Sequence, residues 1–106
     1  MVDDFKPIEG LVRQYIADGR AELPIDKVYL YGSYAHGKPH EDSDVDLCFF
    51  YSVYKAEEKW DVVGKLFRLK RNYNKHLLIE PNAFLTSEID NDHPFVDEII
   101  KTGIEL

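Results

Sequence analysis

The sequence lacks a second cysteine. Cys48 stands alone, so no intrachain disulfide can staple the fold, and a reducing cytoplasm is the expected compartment. It also lacks any apolar run near the ~18–20 residues that a membrane-spanning helix requires. The opening MVDDFKPIEG is acidic where a signal peptide would be hydrophobic, so no membrane association is expected. Positive charge is in short supply: 13 Lys and Arg against 20 Asp and Glu give a net charge of −7. Neutralising a phosphate backbone takes Lys and Arg, so stable nucleic-acid binding is not expected. An acidic protein can still handle a polyanion when metal ions lie between the two. Repeats, low-complexity tracts and linkers are absent as well, and a single domain over residues 1–106 is expected.

What is present is a globular pattern, 44% hydrophobic. Phe5, Ile8, Leu11, Val12, Tyr15 and Ile16 recur at helical spacing. Asp3 or Asp4 is a candidate cap for that helix, and Gly19 its candidate stop. Lys27–Tyr31 reads as a short strand, followed by a helical turn that Ser33 would cap and that runs through Ala35. A polar loop over residues 38–43 precedes a second strand, Val45–Val53. Ala56 to Asn72 reads as a helix with Trp60, Val63, Leu66 and Phe67 on one side. Lys75–Ile79 reads as a third strand ended by Glu80-Pro81. Pro94–Thr102 reads as a last helix with Phe95, Ile99 and Ile100 inward and Gly103 as its stop. This order predicts an α/β fold, a small mixed β-sheet with flanking helices.

The stretch LYGSYAHGKPHEDSDVDLCFF, Leu30 to Phe50, carries the chemistry. Asp44 and Asp46 are two apart, so on a strand they share one side while Val45 and Leu47 face the other. Two carboxylates this close repel when both ionise, and a cation between them relieves the repulsion. Hard oxygen ligands suit Mg²⁺, which keeps coordination positions open for phosphate oxygens. A strand ending in Gly32-Ser33 at a helical turn presents backbone N–H groups to an anion, with the Ser33 hydroxyl as a further donor. Phosphate donors beside a dicarboxylate fit metal-bridged phosphoryl or nucleotidyl transfer, with two ions ~4 Å apart. Glu80, read at the end of a neighbouring strand, is the candidate third carboxylate, as a metal ligand or as the group that takes the proton of an attacking hydroxyl.

Plainer roles fit other residues. His36, His40, His76 and His93 do not have zinc-site spacing. Cys48 reads as packed core. Lys65, Arg68, Lys70, Arg71 and Lys75 sit toward the end of a helix that begins with acids, which suits the helix dipole. Seven tyrosines and six phenylalanines are many for one small core. A partner surface, in a homo- or hetero-oligomer, is the expected outlet.

Gly32-Ser33, Gly37 and then Asp44-x-Asp46 resemble the signature of the DNA polymerase β-like nucleotidyltransferases, in particular the minimal nucleotidyltransferases that act as antitoxins to HEPN partner proteins. The resemblance spans about Lys27 to Glu80, and the terminal KTGIEL resembles the ends of such chains. It implies that Gly32, Ser33 and Gly37 hold the triphosphate of ATP or another NTP. It implies that Asp44, Asp46 and Glu80 bind two Mg²⁺ ions and carry catalysis, and that a nucleoside monophosphate passes to a hydroxyl, such as a tyrosine of the HEPN toxin. His36 stands where the family often has arginine, and an imidazole is a weaker phosphate clamp than a guanidinium. Two alternatives remain at this point: a stoichiometric antitoxin with weak or no catalysis, and a nucleotidyltransferase for a small molecule.

Overall fold

A computed structural model describes residues 5–37, 44–52 and 58–106, with the backbone alone for 58–60. The elements in order are α1 (Lys6–Glu22), β1 (Ile25–Tyr31), a 3-10 turn (Gly32–Tyr34), β2 (Val45–Tyr51), α2 (Glu58–Lys70), β3 (Ile79–Leu85), a second 3-10 turn (Thr86–Asp90), α3 (Pro94–Thr102) and β4 (Ile104–Glu105). The strands form one sheet in the order β3-β2-β1-β4. β1 runs antiparallel to β2 and to β4, whereas β2 and β3 are parallel, joined through α2. The expected mixed sheet with flanking helices is what forms.

β2 reads VDLCFFY, and every residue in it except Asp46 is buried. That suits an inner strand covered on both faces. Val45, Leu47, Phe49 and Tyr51 point toward α1 and α2 and join Val12, Tyr15, Ile16, Val62 and Leu66 in the main core. Tyr15 stacks edge-on against Phe49 and Tyr73, each at 5.8 Å, and its hydroxyl donates to the Leu66 carbonyl at 2.8 Å. That bond satisfies the polar tip of a buried ring. Cys48 and Phe50 point the other way, against Tyr29, Val96 and Ile99 under α3.

Several elements differ from the sequence reading. Gly19 does not stop α1. It is buried inside the helix beneath Leu66, and the helix ends three residues later, before Leu23-Pro24. Leu23 is extended at φ −132°, ψ 150°, as the residue ahead of a proline prefers. The third strand is Ile79–Leu85 rather than Lys75–Ile79. Pro81 does not break it, because β3 lies at the sheet edge, where a missing N–H is tolerated. β4 went unread, being two residues long and recruited only by pairing with β1. Helix phase also differs: Val62 and Leu66 are buried on α2 while Phe67 is 40% exposed, and on α3 Val96 and Ile99 are buried while Phe95 is 42% exposed. Asp3, Asp4, the loop 38–43, Val53 and the Trp60 side chain lie outside the described residues.

Candidate active site

The sheet register brings the candidate acids into line. Tyr31 pairs with Asp46, and Asp46 pairs with Glu80, so the three stand side by side across β1, β2 and β3. Side chains alternate along a strand, so the next row on the same face is Tyr29, Cys48 and Asn82. Asp44, just ahead of β2, is exposed. Because β2 and β3 are parallel and β1 is antiparallel to them, the acid row lies at the starts of β2 and β3 and at the end of β1. Glu80 is therefore the second residue of its strand, not the last as the sequence suggested. The shift keeps it abreast of Asp46, because the true strand begins where the expected one ended.

Asp46 is the electrostatic centre of the row. Burial, then Asp44, then Glu80 push its carboxyl above the ordinary carboxylate value. Each of these disfavours the ionised form. The donor set fits a hard divalent cation, since Asp46 and Glu80 share one face, Asp44 lies close enough to act on Asp46, and their mutual repulsion is what a cation relieves. Among the described residues, no three His, Cys, Asp or Glu side chains close on a common point. Asp44, Asp46 and Glu80 are thus neighbours rather than a closed cage.

The glycine turn joins this site differently from the sequence reading. Gly32 has φ +73° and Gly37 φ +72°, both in the left-handed region that favours glycine. A Cβ at Gly32 would overlap Asp46 Oδ2 and stand 3.1 Å from its Cγ, so the missing side chain is the space the Asp46 carboxylate occupies. Ser33 is not the N-cap. The cap lies two residues earlier, at extended Tyr31, the turn is Gly32–Tyr34, and Ser33 sits inside it. The Gly32 carbonyl accepts from the Ala35 and His36 N–H groups, each at 3.1 Å.

Tyr31 and Asn82 were not anticipated. Asn82 Nδ2 donates to the Tyr31 hydroxyl, across β2. Phe95 packs edge-on against Tyr31 at 5.8 Å, and Phe84 lies 5.6 Å from Phe95. The Tyr31 hydroxyl is held above its ordinary pKa by burial, partly offset by the Asn82 bond, with Asp46, Cys48 and Glu80 adding to the rise. Asn82 lies two residues after Glu80 on the same face, a signal that correct placement of β3 would have exposed. Cys48 is buried core as expected, its thiol pushed up to about 12, chiefly by burial. A separate cavity of about 260 Å³ is lined by Ile8, Tyr34, Val45, Asn74, Lys75, His76, Leu77 and Leu78. It lies beside Val45, which faces the main core, and includes none of the three carboxylates.

Comparison with known proteins bears on the fold and the family. Residues 16–106 match the family described as Polymerase beta, Nucleotidyltransferase. No curated protein sequence matches the chain. Two crystal structures of a MntA–HpeT toxin–antitoxin resemble it in fold. One carries two Asp→Glu changes and the other a Tyr→Ala change. The first aligns over 92% of this chain and 70% of its own, with TM-score 0.55 at 14% identity. The second covers the same shares, with TM-score 0.54 at 17% identity. No helix among the described residues is long and apolar enough to cross a membrane. With the family match extending over the sheet, the glycine turn and the carboxylate row together, the chain belongs to the polymerase β nucleotidyltransferase family and is a nucleotidyltransferase.

Proposed function

We propose that the chain transfers a nucleoside monophosphate, AMP from ATP, to a hydroxyl of a helical partner protein, acting as one cytoplasmic domain and as the antitoxin of a toxin–antitoxin pair. The observation that carries the reading is the register of Asp46 with Glu80, beside Asp44 and against a glycine turn, within a nucleotidyltransferase family match. The likeness to the MntA–HpeT structures favours a toxin partner, which would be a HEPN protein with a tyrosine acceptor.

Asp44, Asp46 and Glu80 would hold Mg²⁺, which when bound neutralises phosphate charge and stabilises the attacking and leaving oxygens. Gly32, Ser33 and Gly37 would hold the triphosphate. The acceptor oxygen attacks the α-phosphorus, and its bond to phosphorus forms as the bond to the β-phosphate oxygen breaks. Pyrophosphate leaves, and the acceptor proton passes to Glu80.

The test mixes purified chain, partner, Mg²⁺ and α-³²P-ATP, with Asp44→Ala/Asp46→Ala as control. Label on the partner that the double variant loses, while still binding the partner, supports transfer. Wild-type neutralisation that survives in the double variant, with no label from any NTP, would establish a stoichiometric antitoxin instead.

A further inference from the structure

The row that holds Asp46 and Glu80 also contains a donor with no assigned task. The Tyr31 ring is fixed from two sides, by the edge-on contact with Phe95 and by Asn82 Nδ2 donating to its hydroxyl oxygen. A phenol has one O–H to donate besides the lone pairs it offers. Asn82 uses a lone pair, so the proton remains to be given elsewhere. It is held on the face that carries Asp46 and Glu80. In this row and the next, the strand residues are Tyr31, Asp46, Glu80, Tyr29, Cys48 and Asn82, with no Lys, Arg or His among them. The Tyr29 hydroxyl is already engaged with Glu105 at 3.4 Å. Among these strand residues, Tyr31 is therefore the strongest free neutral donor beside the acids.

Resting on the nucleotidyl-transfer reading, we propose that Tyr31, held by Asn82 and Phe95, is a catalytic residue whose O–H donates to a non-bridging oxygen of the α-phosphate. The acceptor hydroxyl is a poorer recipient, because a hydrogen bond donated to the attacking oxygen would withdraw the electrons it needs. That oxygen must come within ~3–3.5 Å of the α-phosphorus, which brings the phosphoryl oxygens to the same end of the sheet. A donor there meets charge that grows during the reaction, where preorganised hydrogen bonds act most strongly.

The experiment titrates wild type, Tyr31→Phe and Asn82→Ala with Mg²⁺ and each of the four NTPs. It then uses the two α-thio diastereomers of the tightest binder. Phenylalanine keeps the ring against Phe95 and removes only the O–H. Tyr31→Phe is expected to raise Kd about tenfold, as loss of a hydrogen bond to a charged group does. It should also reduce the wild-type preference between diastereomers, sulfur being the poorer acceptor. Neither change follows from a structural role. Asn82 is exposed, so Asn82→Ala should fold. It should weaken binding less, and the double variant should bind no worse than Tyr31→Phe. Wild-type Kd and diastereomer preference in both variants would overturn the assignment and leave nucleotide binding intact. Absence of NTP binding by the wild type would overturn the assignment and the transfer reading together.

Discussion

The two faces of β2 differ in one position. Toward α1 and α2, Val45, Leu47, Phe49 and Tyr51 are all buried, and the neighbouring strands add only apolar side chains to them. Toward α3, Cys48 and Phe50 are as well buried, but the face ends in Asp46, which retains solvent access. Consecutive residues therefore serve different ends: Leu47 contributes burial, and Asp46 contributes charge at a cost in burial. The first face can supply the stability that lets the second keep a carboxylate under like-charge pressure.

Leu47→Ala should have the largest effect on stability. It leaves a cavity in the main core and should cost about 2–5 kcal/mol in denaturant unfolding, with Mg²⁺ affinity unchanged in the molecules that remain folded. Gly32→Ala comes next. A side chain at φ +73° is strained and this one overlaps Asp46, so a loss above ~1 kcal/mol is expected. It should also displace the carboxylate and lower transfer, which a kcat measurement on the folded fraction would separate from the stability loss.

Asp46→Asn should change stability in the opposite direction, and only above the carboxylate range. Folding holds the Asp46 proton more tightly than the unfolded chain does, because the folded pKa is raised from 3.8. Stability then falls as pH rises from the unfolded value through the folded one. The asparagine variant should lack that fall, which melting curves across the carboxylate range would show. Asp26 provides the contrast. Its carboxylate accepts from Ser52 Oγ at 2.6 Å and from Thr86 Oγ1, bonds that hold its pKa below the ordinary value. Its contribution is therefore present at neutral pH and lost as pH falls. Mg²⁺ at pH 7.5 should raise the wild-type melting temperature, by the equivalent of about 1.4 kcal/mol at ten times Kd. It should leave Asp46→Asn nearly unmoved.

Gly19→Ala should have the smallest effect. A Cβ there would meet Leu66 at 3.5 Å, an ordinary contact. Alanine should therefore stabilise α1 by up to ~0.5–1 kcal/mol, measurable by thermal unfolding. The opposite signs expected at Gly19 and Gly32 separate a glycine kept in a helix from one required by its φ angle.

How much the sequence revealed follows the same division. β2 was legible because a run of aliphatic and aromatic residues is interrupted only by Asp46, and its aspartates marked the candidate site. Glu80 was legible as a candidate but not in position, because Pro81 looks like a terminator until the edge location of β3 is seen. Gly19 and Phe95 were misread for a related reason. A glycine ends a helix unless another helix packs on it, and an aromatic at helical spacing is core unless its face lies at the margin. Tyr31 with Asn82 needed the register, since 51 positions separate them in the chain.

The most direct measurement is α-³²P-AMP transfer to the proposed helical partner by wild type and by Asp46→Asn, after unfolding curves have shown that the variant is folded. The account predicts transfer by the wild type and at least a ~100-fold loss in the variant, the scale of removing one preorganised charge-stabilising group. Transfer at the wild-type rate by a folded Asp46→Asn protein would contradict it.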